Sequence, residues 1–381
     1  MTRRTGTVVT GIRMPFIQQG DDLVDLVVSN VLDVCEIKES DVIAVTESIL
    51  AVSQGNFAPL EAIGEDVRYK FGDDKHIGVV FPILSRNRFA QILRGISKGA
   101  KKITVLLNYP QDEVGNPIMD MKKWNPYTFS TLGEASQYTG KEFRAKFGEY
   151  VHEFTKIDYI DLYESISDNI EVILSRDPAE ILTHTRDVIV ADIHNRDMTK
   201  KYLQSNGAKK VLTLAELLNE PDKRRGYNEK YGLLGSNMYG QTEVKLFPRE
   251  CNKFVQAVQD EFNRRVRVRP HVMVYADGAF RDPVCGIWEL ADPVVCPGNT
   301  KGLEGSPNEV KLKMIVAREK DKKAALQKAI DEKDHATLSL GTTPRQYKDL
   351  LGSIADLVSG SGDKGTPVVL IQGYFDNLLK E

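Results

Sequence analysis

The stretch that decides the fold is HIGVVFPILSRNRFAQILRGISKGAKKITVLLNY, residues 76–109. Its two apolar runs, at 76–84 and 101–109, have the length and β-branched content of buried strands. Between them, Phe89, Leu93 and Ile96 recur at helical spacing. A strand, a helix and a second strand of this size indicate parallel pairing through a right-handed crossover. The pattern therefore predicts an α/β unit.

The same rhythm returns farther along the chain. RDVIVADIH at 186–194 is a predicted strand, TKKYLQSNG at 199–207 a helix, and KKVLTLAELL at 209–218 a strand leading into a helix. The intervening residues 111–180 are polar and aromatic, and we expect short helices and long loops there. We predict that Lys75–Leu218 forms a compact α/β subdomain beside the active site.

The flanking regions carry their own elements. We predict strands at 7–10, 41–46, 271–276, 310–317 and 366–374, with helices at 23–34, 252–266, 318–334 and 343–360. A chain of 381 residues accommodates about two to three domains of ordinary size. The expected fold class is α/β (α+β), with a mixed-sheet core and an inserted Rossmann-like α/β subdomain.

Charge and composition exclude several classes of protein. The 51 basic and 54 acidic side chains give a net charge of −3, which argues against nucleic-acid partners. The four cysteines form no CxxC pair, so we expect reduced thiols and neither disulfides nor a structural zinc site. Without a signal-like segment or a long apolar run, the sequence predicts a cytoplasmic protein with no membrane partner.

Four segments, in order, resemble the coenzyme F(420) γ-glutamyl ligase family. They are QQGDDLVDLVVSNV (18–31), DVIAVTESILAVSQGN (41–56), GLLGSN with VMVYADGAFRDPVCGIWELAD (232–237 and 272–292), and SIADLVSGSGDKGTPVVLIQG (353–373). The family joins glutamate to a deazaflavin phosphodiester using GTP. The resemblance implies a ligase-like core from residues 1–70 and 220–381, an insertion at 71–219, and an intertwined homodimer.

Three positions depart from the family pattern. Leu234 stands where the GIDxSN motif has a metal-binding acid, Val52 stands in place of a lysine, and Gln54 in place of a glutamate. The reaction class is expected to carry over, while the acceptor carboxylate, whether of a deazaflavin, a folate or pterin, or a peptide-like molecule, stays open.

The candidate metal ligands are carboxylates near strand ends. Amide ligation through phosphoryl transfer needs Mg²⁺ or Mn²⁺ held by protein carboxylates. Asp277 ends a predicted strand, and its family counterpart binds metal; Glu47, following another strand, and Asp282 are candidate second ligands. The alternative for Asp277 is a plain Asp-Gly turn. We assign Asp277 and Glu47 as the catalytic pair.

The candidate phosphate ligands for GTP or ATP are hydroxyls and a Gly-rich loop. Thr46 and Ser48 lie at the carboxyl end of a predicted strand, although Thr46 is also a good helix cap. Ser236 and Asn237 lie in the GLLGSN segment, and Lys364 in GSGDKG at 360–365. This loop lacks the GxxxxGK[ST] pattern, and an ordinary surface turn is an equal alternative.

Arg86, Arg88 and His194 are candidate ligands for an anionic substrate. The arginines open a helix after a strand, where free N–H groups favour anions. His194 with Asp192 could also form an acid/base pair or bind metal.

Two hypotheses of function follow. The first is a ligase that joins an amino acid, L-glutamate, to a small-molecule carboxylate through an acyl phosphate. The second is a nucleotide- or cofactor-binding protein that kept the ligase fold without turnover, which Leu234 and Val52 favour. A Rossmann-type oxidoreductase is disfavoured because no GxGxxG follows a predicted strand.

Overall fold

The structure is a computed structural model. It describes residues 5–123, 136–278, 281, 286–288, 291–311, 313, 320–333, 345–360 and 362–379. Most of the strand predicted at 310–317 lies outside these residues.

The described strands alternate with helices along most of the chain. The strands are β1 (Val8–Ile12), β2 (Val42–Thr46), β3 (Phe57–Pro59), β4 (His76–Val80), β5 (Lys102–Leu107), β6 (Tyr138–Thr139), β7 (Ile170–Leu174), β8 (Asp187–Val190), β9 (Lys210–Thr213), β10 (Asn237–Tyr239), β11 (Glu243–Lys245), β12 (His271–Tyr275), β13 (Gly298–Asn299) and β14 (Val368–Gln372).

The described α-helices are mostly short and amphipathic. They are α1 (Leu23–Val34), α2 (Glu47–Ser53), α3 (Leu60–Phe71), α4 (Phe89–Ser97), α5 (Gly140–Phe147), α6 (Tyr159–Glu164), α7 (Arg196–Ser205), α8 (Cys251–Val266), α9 (Lys322–Asp331) and α10 (Tyr347–Ser359). No described helix is long and apolar enough to cross a bilayer.

A five-stranded mixed sheet forms the first layer, in the order β1-β14-β2-β12-β13. Strand β2 is parallel to β12 and antiparallel to β14. Because side chains alternate across a strand, Ile43 and Val45 pack with α1 and α8, while Val42 and Ala44 pack with α10. The sheet is therefore buried on both faces, and its strands are almost continuously apolar.

The six-stranded sheet is a separate structure with the order β6-β7-β5-β4-β8-β9. All of its pairs are parallel except the short β6–β7 pair. The predicted strands at 76–84 and 101–109 pair with each other here, as β4 and β5. Strand β4 ends at Val80, four residues earlier than predicted, since Phe81 has φ 55° and Pro82 has no N–H to donate.

A three-stranded antiparallel sheet, β10-β11-β3, and helix α3 connect the two larger sheets. Helix α3 packs closely on α4, and glycine at position 95 allows this approach. A Cβ added at Gly95 would come within 2.7 Å of Ile63. One apolar cluster contains Ile63, Ile96 and Phe247 together. The family-derived boundary at 71 stays a prediction, and helix α3, which precedes it, already packs on the α/β unit.

Candidate active site

A cavity of about 670 Å³, here called the main cleft, lies at the carboxyl ends of the parallel strands β2 and β12. Thr46, the last residue of β2, and Glu47 line it at one strand end, and Ala276 and Asp277 line it directly after β12. Ligands commonly bind at the carboxyl ends of parallel strands, where loops and helix termini converge. The topology thus places both predicted catalytic carboxylates, Asp277 and Glu47, in one cavity.

Four carboxylates line the main cleft: Glu47, Asp277, Asp292 and Asp356. Asp292 lies between β12 and β13, and Asp356 lies in the last turn of α10. Asp277 is held between these two, because its amide donates to Asp292 (3.0 Å) while the next amide, of Gly278, donates to Asp356 (3.0 Å).

Arg88, at the start of α4, bridges two of the carboxylates. Its Nη1 lies 2.5 Å from Asp292 and its Nη2 lies 2.8 Å from Asp277. Burial opposes the positive charge, but Asp292 and Asp277 outweigh it and raise the pKa of the guanidinium above its usual value. The six-stranded unit thereby contributes a permanent cation to a cleft built mainly by the first sheet.

Burial, together with neighbouring carboxylates, raises the pKa values of two acids in the main cleft. Burial, with a further contribution from Asp292, raises the pKa of Asp277 to about 7, although Arg88 acts in the opposite direction. Burial also raises the pKa of Asp356 above its ordinary value, against the hydrogen bond from Gly278. These two half-buried groups therefore lack full compensation for their negative charge.

Glu47 and Lys245 form a buried ion pair. Nζ of Lys245 lies 2.6 and 2.8 Å from the two carboxylate oxygens of Glu47. Burial raises the pKa of Glu47, and the charge of Lys245 opposes this rise. Because both oxygens of Glu47 already accept from Lys245, the predicted use of Glu47 as a metal ligand would require this pair to separate. Its geometry instead suits a residue that supports the floor of the cleft.

The charges around the main cleft do not balance among the described residues. Among the lining residues and their ion-pair partners, four carboxylates face two cations, Arg88 and Lys245, which leaves a net charge of −2 when all are ionised. The exposed Lys364, beside Gly360 at the rim, is not included in this sum. Among all the residues that the structure describes, no three His, Cys, Asp or Glu side chains are close enough together to bind a metal ion by themselves. Mg²⁺ needs only one or two protein carboxylates when phosphate oxygens and waters complete its shell. A divalent cation bound together with phosphates fits this charge and ligand set.

Of the predicted phosphate ligands, three line the main cleft: Thr46, Ser48 and Asn237. Thr46 also caps α2, as the alternative interpretation expected. Ser236 does not line the cleft; it is buried, and its hydroxyl donates to the carbonyl of Leu233 at 2.8 Å. The phosphate-binding role of Ser236 stays a prediction, and its hydroxyl is engaged inside the protein rather than at the cleft wall.

The remaining predicted residues lie outside the main cleft or outside the described residues. Lys364 is exposed on a short 3-10 helix whose neighbours Gly362 and Gly365 line the cleft. Arg86 is exposed and is not part of the cleft wall, unlike Arg88. His194 is likewise exposed, at the edge of the six-stranded sheet after β8, so its predicted substrate role has no support in the cleft geometry. Asp282 lies outside the described residues.

The three departures from the family pattern have separate structural settings. Leu234 is buried in the apolar cluster, and Val52 lines the main cleft. The side chain of Gln54 bonds to the backbone of Arg249, with its nitrogen donating to the carbonyl and its oxygen accepting from the amide. Gln54 therefore joins two loops and is not directed at the cleft.

A second cavity of about 350 Å³, here called the side chamber, lies on the other side of Arg88. Arg88, Asp277 and Asp356 line both the main cleft and the side chamber. The side chamber adds Trp288, 39% exposed, as a flat aromatic wall. Two molecules bound in the two cavities would meet at the shared residues.

Sequence reasoning missed Asp292 and Asp356 as members of the site. Both lie within segments quoted for the family resemblance, Asp292 at the end of WELAD and Asp356 in SIADLVSG. A usable signal was present at Asp356, an acid between the apolar residues Ala355 and Leu357 near the end of a helix. Nothing in the local pattern around Asp292 distinguishes it from an ordinary loop acid.

Comparison with models of known protein families gives a match over nearly the whole chain. The model of the family described as F420-0:Gamma-glutamyl ligase matches residues 11–373. The matched range includes both flanking regions and the segment 71–219 between them. A search of curated proteins found no match.

Proposed function

The chain belongs to the F420-0:Gamma-glutamyl ligase family, and on this basis we propose that it is a nucleotide- and metal-dependent amide ligase. It joins an amino acid, L-glutamate, to a carboxylate of a small-molecule acceptor, with GTP or ATP as co-substrate. The observation that carries the proposal is the convergence of Asp277, Asp292 and Asp356 around Arg88 in a cleft with excess negative charge.

Asp277 and Asp356 are the proposed metal ligands. Both are half-buried, both have raised pKa values, and both line the main cleft and the side chamber. Bound Mg²⁺ or Mn²⁺ would neutralise phosphate charge and polarise the transferred phosphoryl group. Asp292 is engaged with Arg88 and the amide of Asp277, so we assign it the role of holding both in place.

The nucleotide is proposed to bind in the main cleft. The volume of this cleft, about 670 Å³, is in the range of ordinary small-molecule sites. The turn containing Gly360, Gly362 and Gly365 lines one wall, and Asn237 lines another. Backbone amides in Gly-rich turns can contact phosphates at close range. The adjacent Lys364 stays a candidate phosphate ligand.

The acceptor is proposed to bind in the side chamber. Trp288 offers an aromatic face for a flat ring system, and Arg88 lies at the boundary with the main cleft. A guanidinium has five N–H donors in a planar fork, which suits recognition of a carboxylate. Arg88 would hold the acceptor carboxylate beside the terminal phosphate.

The reaction then has two steps. An oxygen of the acceptor carboxylate attacks the terminal phosphorus, the bond to the bridging oxygen breaks, and an acyl phosphate and a nucleoside diphosphate form. The amino nitrogen of glutamate attacks the acyl carbon, phosphate leaves, and the nitrogen loses a proton to give the amide. Arg88 would stabilise the negative charge on the transferred phosphoryl group in the first step.

The first test uses Asp277→Asn, which keeps shape but removes the charge. We expect metal-dependent binding of GTP or ATP to weaken at least about tenfold in isothermal titration, because the cation loses a ligand. Phosphate release is expected to disappear, while the free protein keeps a single cooperative thermal transition, which shows that it is folded. Asp33→Asn is the matched control, since Asp33 is an exposed acid on α1.

Two results would count against the ligase proposal. Unchanged nucleotide and metal affinity in Asp277→Asn would make Asp277 an ordinary turn residue. Absence of nucleotide binding to the wild-type protein with either Mg²⁺ or Mn²⁺ would remove the proposal altogether.

The second candidate function is binding without turnover. It is favoured by Arg88, which already bridges Asp277 and Asp292, and by Leu234 at the position of the family's acid. Metal-dependent nucleotide binding without phosphate release, tested with glutamate and candidate acceptors present, would support this alternative.

We further propose a homodimer that acts in the cytoplasm. The family resemblance supports the dimer, and the cytoplasm supplies nucleotide co-substrates. A monomer mass by light scattering at micromolar concentration would contradict the dimer.

A further inference from the structure

A third cavity is lined by a different set of described residues from those of the main cleft. It measures about 500 Å³ and is here called the sheet-edge cavity, because it lies at the carboxyl ends of β4, β5, β7 and β8. The residues that follow these strands, Phe81, Asn108, Arg176 and Asp192, line it. None of its lining residues lines the main cleft or the side chamber.

Sheet topology favours this position as a ligand site. Strand β4 is first in the chain but lies inside the sheet, with β5 and β7 added on one side and β8 and β9 on the other. In open α/β sheets, the loops diverge where the strand order reverses, and a crevice opens between them. Phe81 and Asp192 follow the two strands, β4 and β8, that flank this reversal.

Asp192 is the observation that points to a ligand. The residue is 2% exposed, and its Oδ2 accepts a hydrogen bond from the hydroxyl of Thr199 at 2.7 Å. Its Oδ1 is buried and has no hydrogen-bond partner among the described residues. A buried carboxylate oxygen without a donor is costly, and native proteins normally supply one from protein, water or ligand.

The other acids around the cavity have partners of their own. Asp112 accepts from the amides of Leu84 and Val114, and Asp177 accepts from the amide of Ala179. Glu113 accepts from the amides of Ile193, His194 and Asn195, which begin the turn into α7.

The carboxylate of Glu113 occupies the place where an anionic ligand would otherwise bind. Backbone amides before a helix are the usual place for a phosphate or carboxylate at such a sheet edge. Here the protein's own carboxylate fills that place. Among the described residues, the cavity wall carries four carboxylates, those of Asp112, Glu113, Asp177 and Asp192, and one guanidinium, that of Arg176. An anion is therefore disfavoured, and a cation that donates to Asp192 is favoured.

One wall of the cavity is apolar. Met198 and Tyr202, on α7, are 67% and 43% exposed, and Phe81, directly after β4, also lines the cavity. Large apolar side chains that stay exposed beside a polar pocket are typical of a surface that a ligand covers.

We propose that the sheet-edge cavity binds a small organic cation, a primary amine with an apolar body, whose ammonium group donates to Oδ1 of Asp192. The apolar body lies against Phe81, Met198 and Tyr202. Burial, with a contribution from Glu113, raises the pKa of Asp192 to about 7 despite the opposing effects of Thr199 and Arg196, and this agrees with a missing counter-charge. The amine site is separate from the proposed ligase chemistry and does not depend on it.

The test compares amines with alcohols of the same shape on the full chain. The probes are 2-phenylethylamine against 2-phenylethanol, and 1,5-diaminopentane against 1,5-pentanediol, measured by ligand-observed NMR and thermal shift. We expect at least one amine to bind wild type about tenfold or more tightly than its alcohol. Asp192→Asn should reduce this preference to about twofold or less, because it removes the charge but keeps an acceptor for Thr199. Asp277→Asn, in the main cleft, should leave the preference for the amine over its alcohol unchanged.

The outcomes that overturn the proposal are equally definite. They are equal binding of amine and alcohol, absence of amine binding to wild type, and unchanged amine preference in Asp192→Asn. If Asp192→Asn fails to fold, Tyr202→Ala decides: the exposed ring is dispensable for folding, and the proposal requires this variant to weaken 2-phenylethylamine more than 1,5-diaminopentane.

Discussion

At the scale of single residues, the buried ion pair of Glu47 and Lys245 makes the stability of the protein depend on one lysine side chain. The two side chains are 8% and 4% exposed, and each is the main charge partner of the other. We predict that Lys245→Met lowers the free energy of unfolding by about 3–5 kcal/mol, because Glu47 is left as an uncompensated buried charge. Urea unfolding measures the change.

An exposed ion pair supplies the control for Lys245→Met. Lys253 and Glu250 pair on the surface, with side chains 79% and 61% exposed. Lys253→Met is expected to leave the free energy of unfolding nearly unchanged, because water screens an exposed ion pair. The double variant Glu47→Gln with Lys245→Met should recover part of the loss. Equal costs for the two lysines would show that Glu47 does not depend on Lys245.

The raised pKa of Asp192 predicts that the free energy of unfolding decreases as the pH rises. The pKa of Asp192 in the folded protein is about 7, whereas the pKa of an aspartate in an unfolded chain is about 4. Between these values the unfolded chain has lost the proton and the folded chain still holds it, so stability falls as pH rises through this window. We predict that Asp192→Asn removes this contribution.

Unfolding of wild type and Asp192→Asn at two pH values tests the sign. At about pH 8 the variant should be more stable than wild type, by on the order of 4 kcal/mol, and at about pH 4 the two should be similar. The same difference at both pH values would mean that the pKa of Asp192 is not raised in the folded protein.

At the scale of elements, the contact between the end of β12 and helix α10 brings two site carboxylates together. Gly278 makes this contact possible, because a Cβ there would lie 2.9 Å from the backbone Cα of Ser353. We predict that Gly278→Ala destabilises the protein by about 1–3 kcal/mol and weakens metal-dependent nucleotide binding, since it forces Asp277 and Asp356 apart. Thermal unfolding and isothermal titration measure the two effects.

Gly362→Ala is the matched control, because Gly362 also lines the main cleft but has no atom within 4 Å of an added Cβ. It should change stability by no more than about 0.5 kcal/mol. A Gly278→Ala variant that is no more perturbed than Gly362→Ala would show that α10 can shift without consequence.

At the scale of the whole molecule, the apolar packing joins the α/β unit to the rest. The largest cluster contains Ile63 of α3, Ile96 of α4, Ile103 of β5 and Phe247 after β11. We predict one cooperative thermal transition, with calorimetric and van't Hoff enthalpies in agreement, because neither part can unfold without exposing the shared cluster. Two resolved calorimetric transitions would contradict this and favour an independently folding insertion.

The local elements could be predicted from the sequence because their signals are local. Helix α1 was predicted at 23–34 from its apolar periodicity and is found at Leu23–Val34, with Asp22 as its cap. The strand ending before Asp277 was predicted from its apolar run, and β12 ends at Tyr275. The spacing of apolar residues along a strand or helix depends only on backbone geometry, which every short segment carries with it.

Which side chains meet in the site was decided by the tertiary structure alone. Lys245 reaches Glu47 across 198 residues, and Arg88 reaches Asp277 across 189. The same holds for the cavity at Asp192, whose lining residues follow four different strands. Such contacts depend on strand order, register and the packing of apolar faces over the whole chain, which are collective free energies that no local pattern contains.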